Sequence, residues 1–120
     1  EGAGIYRTEA SLKTSQNKIQ ELHDRFKNIR IEDISKTFNT DLFAILEFSY
    51  LLDIAEAIVQ SALTRRESRG SHQRTDYPVR DDENFLAHSL SFKKENVIPE
   101  IKFTPVNITR WQPGERVYGR

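Results

Sequence analysis

The chain of 120 residues carries 18 basic and 18 acidic residues, with 30% charged and 37% hydrophobic residues. This length supports one domain with a modest core, and zero net charge gives no reason to expect nucleic acid or an anionic membrane as a partner. The absence of cysteine excludes disulfides, thiolate catalysis and cysteine-ligated iron–sulfur clusters. The sequence shows no signal peptide and no apolar run long enough to span a bilayer. Because it begins at Glu1 and contains no methionine, we expect it to be part of a longer polypeptide.

The first predicted helix begins after Thr8, a residue type that caps helix N-termini, with Glu9 in its first turn. Apolar residues at spacings of three, four and seven form one stripe on this helix, typical of packing against a single neighbour. The stripe comprises Leu12, Ile19, Leu22, Phe26 and Ile29. His23 lies beside it, and we interpret it as a surface histidine. Residues 1–4 predict the end of a preceding helix.

A second, more hydrophobic helix follows a connector at residues 30–38, which we expect Ile31, Ile34 and Phe38 to anchor. Asn39 and Thr40 are two candidate N-caps. Residues 42–63 are apolar on nearly every face, which predicts burial by several neighbours. The sequence contains one other amphipathic helix. The second neighbour is therefore expected to be a helix before residue 1, another domain, or another copy of the chain. We place the end of the helix at residue 69, with Gly70 in the positive-φ position that helix ends favour.

The last third of the chain predicts a β-hairpin and an irregular tail. A short helix is expected from Asp81 to about His88. Residues 88–92 and 100–104 alternate in strand periodicity, and Pro99 and Pro105 confine the second strand to an edge or a short span. The tail, residues 107–120, is predicted to contact another surface through Trp111 and Tyr118.

Residues 62–84 crowd five arginines against five acids directly after the most hydrophobic segment. One interpretation is an anion site around Arg69, His72 and Arg74, because arginine forks match carboxylates. The preferred interpretation is a lattice of ion pairs that holds the helix end and the following loop to a neighbouring domain, because each arginine has an acid close in sequence. The candidate residues of this inter-domain clamp are Arg66, Glu67, Arg69, Gly70, His72, Arg74, Arg80, Asp81 and Asp82. Helix capping explains Asp81 and Asp82 better than a role as an acid/base pair does.

No catalytic, cofactor-binding or metal-binding residues are predicted within the chain itself. It contains no glycine-rich phosphate loop and no pair of histidines with metal-ligand spacing. Asn107-Ile108-Thr109 matches a glycosylation sequon, which we attribute to chance.

Several motifs, taken in order, resemble the C-terminal region of the flavoprotein subunit of fumarate reductase and succinate dehydrogenase. They are GIYRTEASL at residues 4–12, FNTDL at 38–42, RRESRGSHQR at 65–74, RDDENFLAHSLSF at 80–92 and RVYG at 116–119. L-aspartate oxidase shares the RRESRG element. The RDDENFLAHSL and RVYG motifs are more similar to fumarate reductase.

The resemblance implies a mainly α fold: a spectrin-repeat-like helical bundle whose first helix precedes this chain, followed by a small β-hairpin and an irregular tail. Residues 1–92 would be the helical C-terminal domain and residues 93–120 a β-containing extension. The parent would interconvert fumarate and succinate in respiratory electron transfer, with FAD bound by upstream domains and none by this part. The implied partners are the FAD-binding and capping domains, and the iron–sulfur subunit at the cytoplasmic face of the inner membrane.

Two alternatives remain open at the level of sequence. The parent could be succinate dehydrogenase or L-aspartate oxidase, which would keep the fold and change the physiology or the substrate. The chain could instead be a free-standing helical interaction module, an alternative that its lack of methionine and the uncovered faces of its second helix disfavour. By itself the chain is expected to be inactive and to self-associate or fold loosely.

Overall fold

The computed structural model describes residues 2–94 and 97–114. In chain order the elements are β1 (Tyr6–Arg7), α1 (Glu9–Phe26), α2 (Thr40–Thr64), β2 (Gln73–Arg74), α3 (Asp82–Phe85), β3 (Ala87–Lys94) and β4 (Val97–Pro105). Strand β1 pairs in parallel with β2, and β3 pairs antiparallel with β4. The prediction of a mainly α fold with a small β-hairpin is confirmed.

Helix α1 begins with the predicted cap at Thr8. The Thr8 Oγ1 accepts a hydrogen bond from the backbone N–H of Ser11 at 3.1 Å, and the Ser11 hydroxyl accepts one from the N–H of Thr8 at 3.1 Å. The helix ends at Phe26, so the expected continuation to Ile29 is wrong. The N–H groups of Asn28 and Ile29 bond to carbonyls three residues back, which tightens the last turn and leads the chain away.

Helix α2 packs antiparallel on α1. The Gln16 Nε2 donates to the Gln60 Oε1 at 2.6 Å, and the Phe26 and Phe48 rings lie 6.0 Å apart, so residue numbers rise along one helix as they fall along the other. Asn39, not Thr40, caps α2, because its Oδ1 accepts from the N–H of Leu42 at 2.8 Å. The buried apolar residues of the described chain are Leu12, Leu52, Val59, Ala62 and Pro99.

His23 lies within the α1–α2 contact, so its interpretation as a surface histidine is wrong. Its side chain is 29% exposed, and its Nε2 lies 3.6 Å from the Glu56 Oε2. The reason is its position next to the apolar stripe that packs on α2, which leaves its Nε2 atom buried.

A large part of α2 faces away from α1 and the hairpin. Phe43 is 66% exposed, Tyr50 63% and Leu51 61%, although all three belong to the most apolar segment of the chain. The predicted burial of α2 by several neighbours is therefore incomplete within the described residues. None of the helices described is both long enough and apolar enough to cross a membrane.

Helix α2 ends at Thr64, five residues earlier than expected, because Arg65 adopts an extended backbone with φ −84° and ψ 101°. Gly70 has the predicted positive φ, at 58°, but it does not end the helix. It lies in a tight turn in which Arg69 and His72 exchange two backbone hydrogen bonds of 2.9 and 3.0 Å. A glycine as the first central residue suits the positive φ that such hairpin turns require.

The connector between the two long helices is exposed. Ile34 and Phe38 are each 92% exposed and Ile31 is 39% exposed, so the expected anchoring by these residues is absent from the described chain. Polar contacts hold the connector instead: the Asn39 Nδ2 donates to the carbonyls of Asp33 and Ser35 at 2.7 and 3.2 Å.

The C-terminal part follows the prediction closely. Asp81 caps α3, which ends at Phe85 and thus three residues before the expected His88. The hairpin places His88 opposite Thr104 and Phe92 opposite Glu100. The proposed division between residues 92 and 93 falls inside β3 and stays a prediction.

The predicted irregular tail is residues 107–120, and its described part, residues 107–114, contains no helix or strand. Trp111 is 78% exposed, so it contacts little of the described chain. Tyr118 and the RVYG motif lie outside the described residues.

Candidate functional site

A fully buried carboxylate, that of Glu67, lies at the centre of the charged loop. Its Oε1 accepts from the Arg65 Nη1 at 2.6 Å and the Arg69 Nε at 2.8 Å. Its Oε2 accepts from the Arg69 Nη2 at 3.0 Å and the backbone N–H of Asp81 at 2.9 Å. Burial alone would raise the pKa of Glu67, but the hydrogen bonds from Arg69, Asp81 and Arg65 outweigh burial and hold this pKa below its ordinary value. Glu67 therefore stays ionised and joins the end of α2 to the start of α3.

Arg69 extends this contact to a second acid. Its Nη2 donates to the Asp82 Oδ1 at 2.6 Å, while the other Asp82 oxygen pairs with Arg80. Hydrogen bonds from Glu67 and Asp82 raise the pKa of the Arg69 guanidinium despite its partial burial. The Arg80 Nη1 in turn donates to the carbonyl of Gly114 at 2.9 Å, which ties the tail to the loop. The result is a chain of alternating charges from Arg65 to Arg80.

Arg65 connects α2 to the hairpin. Its Nη1 donates to the carbonyl of Phe85 at 2.7 Å and its Nη2 to the carbonyl of Ala87 at 2.6 Å. The guanidinium also lies over the rings of Phe85 and Phe103, 5.7 and 5.4 Å from their centroids. The Arg65 side chain, which is 13% exposed, therefore makes an ion pair, hydrogen bonds and cation–π contacts at the same time.

A second ion pair joins the two long helices. The Arg74 side chain, which is fully buried, donates from Nε and Nη2 to the two Asp76 oxygens at 2.7 Å each. Its Nη1 donates to the carbonyl of Ala62 in the last turn of α2 at 3.0 Å. The Asp76 Oδ2 accepts from the backbone N–H of Glu9 in the first turn of α1 at 2.8 Å. The cation thus meets the negative end of one helix dipole and the anion the positive end of the other.

Hydrogen bonds from Arg74 lower the pKa of Asp76 far below its ordinary value and outweigh the opposing effect of desolvation. Asp76 is therefore ionised at every pH at which the chain is expected to function.

His72 lies between two arginines. Its Nδ1 is 2.8 Å from the Arg7 Nη1, which can only donate, and its Nε2 is 3.0 Å from the Arg65 carbonyl, which can only accept. These partners assign the neutral tautomer with the proton on Nε2. Burial lowers the pKa of His72, and the charges of Arg7, Arg74 and Arg65 lower it further, against the effect of the Arg65 carbonyl.

The structure brings most of the predicted clamp residues together. Glu67, Arg69, Arg80, Asp81 and Asp82 form one cluster, and Arg74 lies in the adjoining pair with Asp76. Gly70 and His72 form the turn between them. Arg66 is exposed and has no ion pair within the residues described.

The arginine forks of the cluster are occupied by acids of the chain itself. Arg69 and Arg74 each meet a carboxylate at two points, and neither presents an open fork to a small anion. The geometry therefore favours the ion-pair lattice over the anion site. In the described part of the chain, no group of three or more potential ligands could hold a metal ion.

Four contributors to the site are absent from the predicted set: Arg7, Arg65, Ser68 and Asp76. The buried Ser68 hydroxyl accepts from the N–H of Arg74 at 2.8 Å and bonds the Tyr77 carbonyl at 2.9 Å. The spacing Arg74-Thr75-Asp76 was the available signal for one pair. Nothing in the sequence links Arg7 to residues 65 positions away.

Comparison with known proteins identifies the family of this chain. The chain matches the family described as fumarate reductase flavoprotein C-term over residues 1–118. It is 52% identical over 119 residues to the fumarate reductase flavoprotein subunit of Haemophilus influenzae, covering 99% of this chain and 20% of that protein. The corresponding subunit of Mycobacterium tuberculosis strain H37Rv is 54% identical over 118 residues, with coverage of 98% and 20%.

The fold agrees with a solved structure of Escherichia coli quinol fumarate reductase. The matching chain of that structure has a TM-score of 0.91 and 43% identity, over 96% of this chain and 20% of that one. The succinate dehydrogenase flavoprotein subunit of Rickettsia conorii matches less closely, at 40% identity over 107 residues, 89% of this chain and 18% of that protein. The chain thus spans about one fifth of the length of the relatives that it matches, and it belongs to the fumarate reductase flavoprotein C-terminal family.

Proposed function

We propose that this chain is the C-terminal helical scaffold domain of the FAD-containing subunit of a fumarate reductase. The complete enzyme would interconvert fumarate and succinate in respiratory electron transfer. The observation that carries this proposal is the higher identity to fumarate reductase subunits than to the succinate dehydrogenase subunit, over nearly the whole chain.

The domain would act by bracing the rest of the subunit. Residues 1–92 would form the helical domain, with residues 93–120 as an extension that ties back through Arg80. The ion-pair lattice around Glu67 would be an inter-domain clamp. Its buried centre supports this role, because a buried charge network holds one geometry where a solvated surface pair would not. Arg66 and Gly70, at the exposed edge of the lattice, would face the neighbouring domain.

FAD would be bound by the FAD-binding and capping domains of the same polypeptide and by no residue of this chain. The sequence supports this assignment because it lacks the glycine fingerprint with which dinucleotide-binding folds hold a pyrophosphate. The iron–sulfur subunit would be a second partner. The assembled complex would lie at the cytoplasmic face of the inner membrane, held there through its other subunits.

The proposal is tested with the complete flavoprotein purified together with its iron–sulfur subunit. We expect fumarate-dependent oxidation of a reduced viologen dye to be faster than succinate-dependent dye reduction. Faster succinate oxidation would favour succinate dehydrogenase, and L-aspartate-dependent flavin reduction without fumarate reduction would favour L-aspartate oxidase. A chain of this sequence that occurs naturally without any flavoprotein domain would support the free-standing interaction module.

A further inference from the structure

One partly buried guanidinium near the lattice has no acid partner within the described residues, unlike the other buried or partly buried arginines there. Arg7 is half-buried, and it donates to the Gly4 carbonyl and to the His72 Nδ1. Within the part of the chain that the structure describes, no carboxylate oxygen lies within 4.0 Å of it. Arg65, Arg69, Arg74 and Arg80, which are also partly or fully buried, each have one. Since burying a charge without a counter-charge is costly, Arg7 is the partly buried cation of this region that has no acid among the described residues.

The surroundings of Arg7 favour an anion. The polar side chain that it contacts, His72, is held neutral, and the charges of Arg65 and Arg74 also act on that ring. Burial lowers the pKa of Arg7 itself, so removal from water is not offset there by an acid of the chain. A carboxylate is the group that would offset it, because it matches the guanidinium fork in shape and charge.

Arg7 lies at one wall of an open groove of about 440 Å³ on the side of α2. Ile54, Ala57 and Ile58 line the groove with apolar surface, and Ile54 and Ile58 are 56% and 49% exposed. Ser61, Ser89 and His72 also line the groove and add polar groups to it. The lining of the groove therefore combines apolar side chains with the cations Arg7 and Arg65.

We propose that this groove docks an apolar segment of the flavoprotein polypeptide outside these 120 residues, and that the segment presents an Asp or Glu side chain to Arg7. The proposal rests on the proposed function and deepens it by naming the chemistry of the domain contact. Relatives five times as long supply the polypeptide that such a contact needs. A free dicarboxylate is disfavoured as the occupant of the groove. Burial of the exposed isoleucines is favourable against an apolar side chain and not against a small doubly charged anion.

The contact is tested in the full-length flavoprotein with Arg7→Lys and a carbodiimide cross-linker. This reagent condenses an amine with a carboxylate that touches it, with loss of one water, and digestion followed by mass spectrometry identifies the joined peptides. We expect position 7 to be joined to an Asp or Glu outside residues 1–120 of the same polypeptide. The matched control is Arg25→Lys, on the exposed face of α1, which should be joined only to Glu21 or other residues of this chain.

Three results would overturn the docking proposal. They are cross-links of position 7 confined to residues 1–120, cross-links between two copies in a mixture of isotopically labelled and unlabelled protein, and incorporation of a free dicarboxylate in place of a protein acid. If Arg7→Lys does not fold, phenylglyoxal labelling of the native wild-type subunit supplies the test. Arg7 should react at least about tenfold more slowly than Arg25, and equal rates would overturn the proposal.

Failure of this contact and failure of the enzyme assignment give different results. If the subunit is an active fumarate reductase and position 7 is not cross-linked, only the docking proposal is rejected. If position 7 is cross-linked and the subunit does not reduce fumarate, only the enzyme assignment is rejected.

Discussion

Arg74 and Asp76 connect the end of α2 to the start of α1 through a two-point ion pair. The arginine donates to the Ala62 carbonyl, and the aspartate accepts from the Glu9 N–H, at 3.0 and 2.8 Å. One pair thereby satisfies a backbone group at each helix end that helix geometry leaves without a partner.

We expect Asp76→Ala to lower the stability of the full-length subunit by about 3–5 kcal/mol, because it leaves the fully buried Arg74 cation without its anion. Thermal melting of the purified protein measures the effect. Asp24→Ala is the control, because Asp24 pairs with Lys27 on the surface, where solvent screens the pair and it contributes little to stability. Equal melting temperatures for the two variants would show that the Arg74–Asp76 pair does not hold the helices together.

Arg69→Ala separates the clamp from the anion site. The clamp hypothesis predicts a loss of about 2–5 kcal/mol, because the buried Glu67 loses its two-point partner, and it predicts weaker flavin retention. The KM for the dicarboxylate should change little in the protein that remains folded. Arg69→Lys keeps the charge and loses the two-point guanidinium contact. Its stability should therefore lie between that of Arg69→Ala and that of the wild type.

The anion-site hypothesis predicts the reverse for Arg69→Ala. Melting would be normal, and the KM would rise about tenfold or more, which corresponds to roughly 1.4 kcal/mol of lost binding. Melting temperature and KM measured on the same preparation therefore distinguish the two hypotheses.

His72 should make the subunit sensitive to mild acid. Its pKa is lowered in the folded state, so the unfolded chain binds a proton at a higher pH than the folded chain does. The free energy of unfolding should therefore fall as the pH drops below about 6.5, the ordinary value for histidine. The lowered pKa values of Glu67 and Asp76 act in a separate window, below their ordinary values of 4.5 and 3.8.

In His72→Gln, an amide can accept from Arg7 and donate to the Arg65 carbonyl without titrating. We expect the difference in melting temperature between variant and wild type to be constant near pH 8 and to shift in favour of the variant between about pH 6.5 and 5. A difference that stays constant over the whole range would exclude His72 as the source.

The chain in isolation should self-associate through the exposed face of α2. Burying one Leu or Phe contributes roughly 1.5–3 kcal/mol, and Phe43 and Leu51 are among several such residues exposed there. Sedimentation velocity at micromolar concentration should show dimers or larger species, and Leu51→Glu should shift them towards monomer. Lys18→Glu, on the hydrated face of α1, is the control. A wild-type monomer that melts cooperatively would contradict this expectation.

Local features of the fold could be predicted from sequence, and tertiary ones could not. The caps at Thr8 and Asp81 depend on backbone groups within three residues of the capping side chain, which the sequence displays directly. The early end of α2 depends on Arg65, whose guanidinium reaches Phe85 and Ala87, 20 and 22 residues away. Helix propensity contains no information about such contacts.

The candidate site shows the same division. The balance of arginines and acids after α2 indicated ion pairs, because opposite charges close in sequence tend to pair, and such pairs are present within the chain. Their role as a clamp to a neighbouring domain stays a prediction. Arg7 was missed, since its contact with His72 spans 65 positions and depends on the parallel pairing of β1 with β2. Gly70 was assigned the correct φ for the wrong reason, because a helix end and a hairpin turn both favour positive φ.

The pairing of β1 with β2 also constrains the order in which the chain can acquire its structure during synthesis. Strand β1 forms its hydrogen bonds with residues 73–75, and the Glu9 N–H bonds to an aspartate 67 positions later. At about 5–20 residues per second, a ribosome needs roughly 3–13 s to make the intervening segment. During that interval α1 and α2 can pack on each other, but the start of α1 is not yet bonded to the loop that follows α2. The contacts of β1 with β2 and of Glu9 with Asp76 can therefore form only after residues 73–76 have left the ribosome.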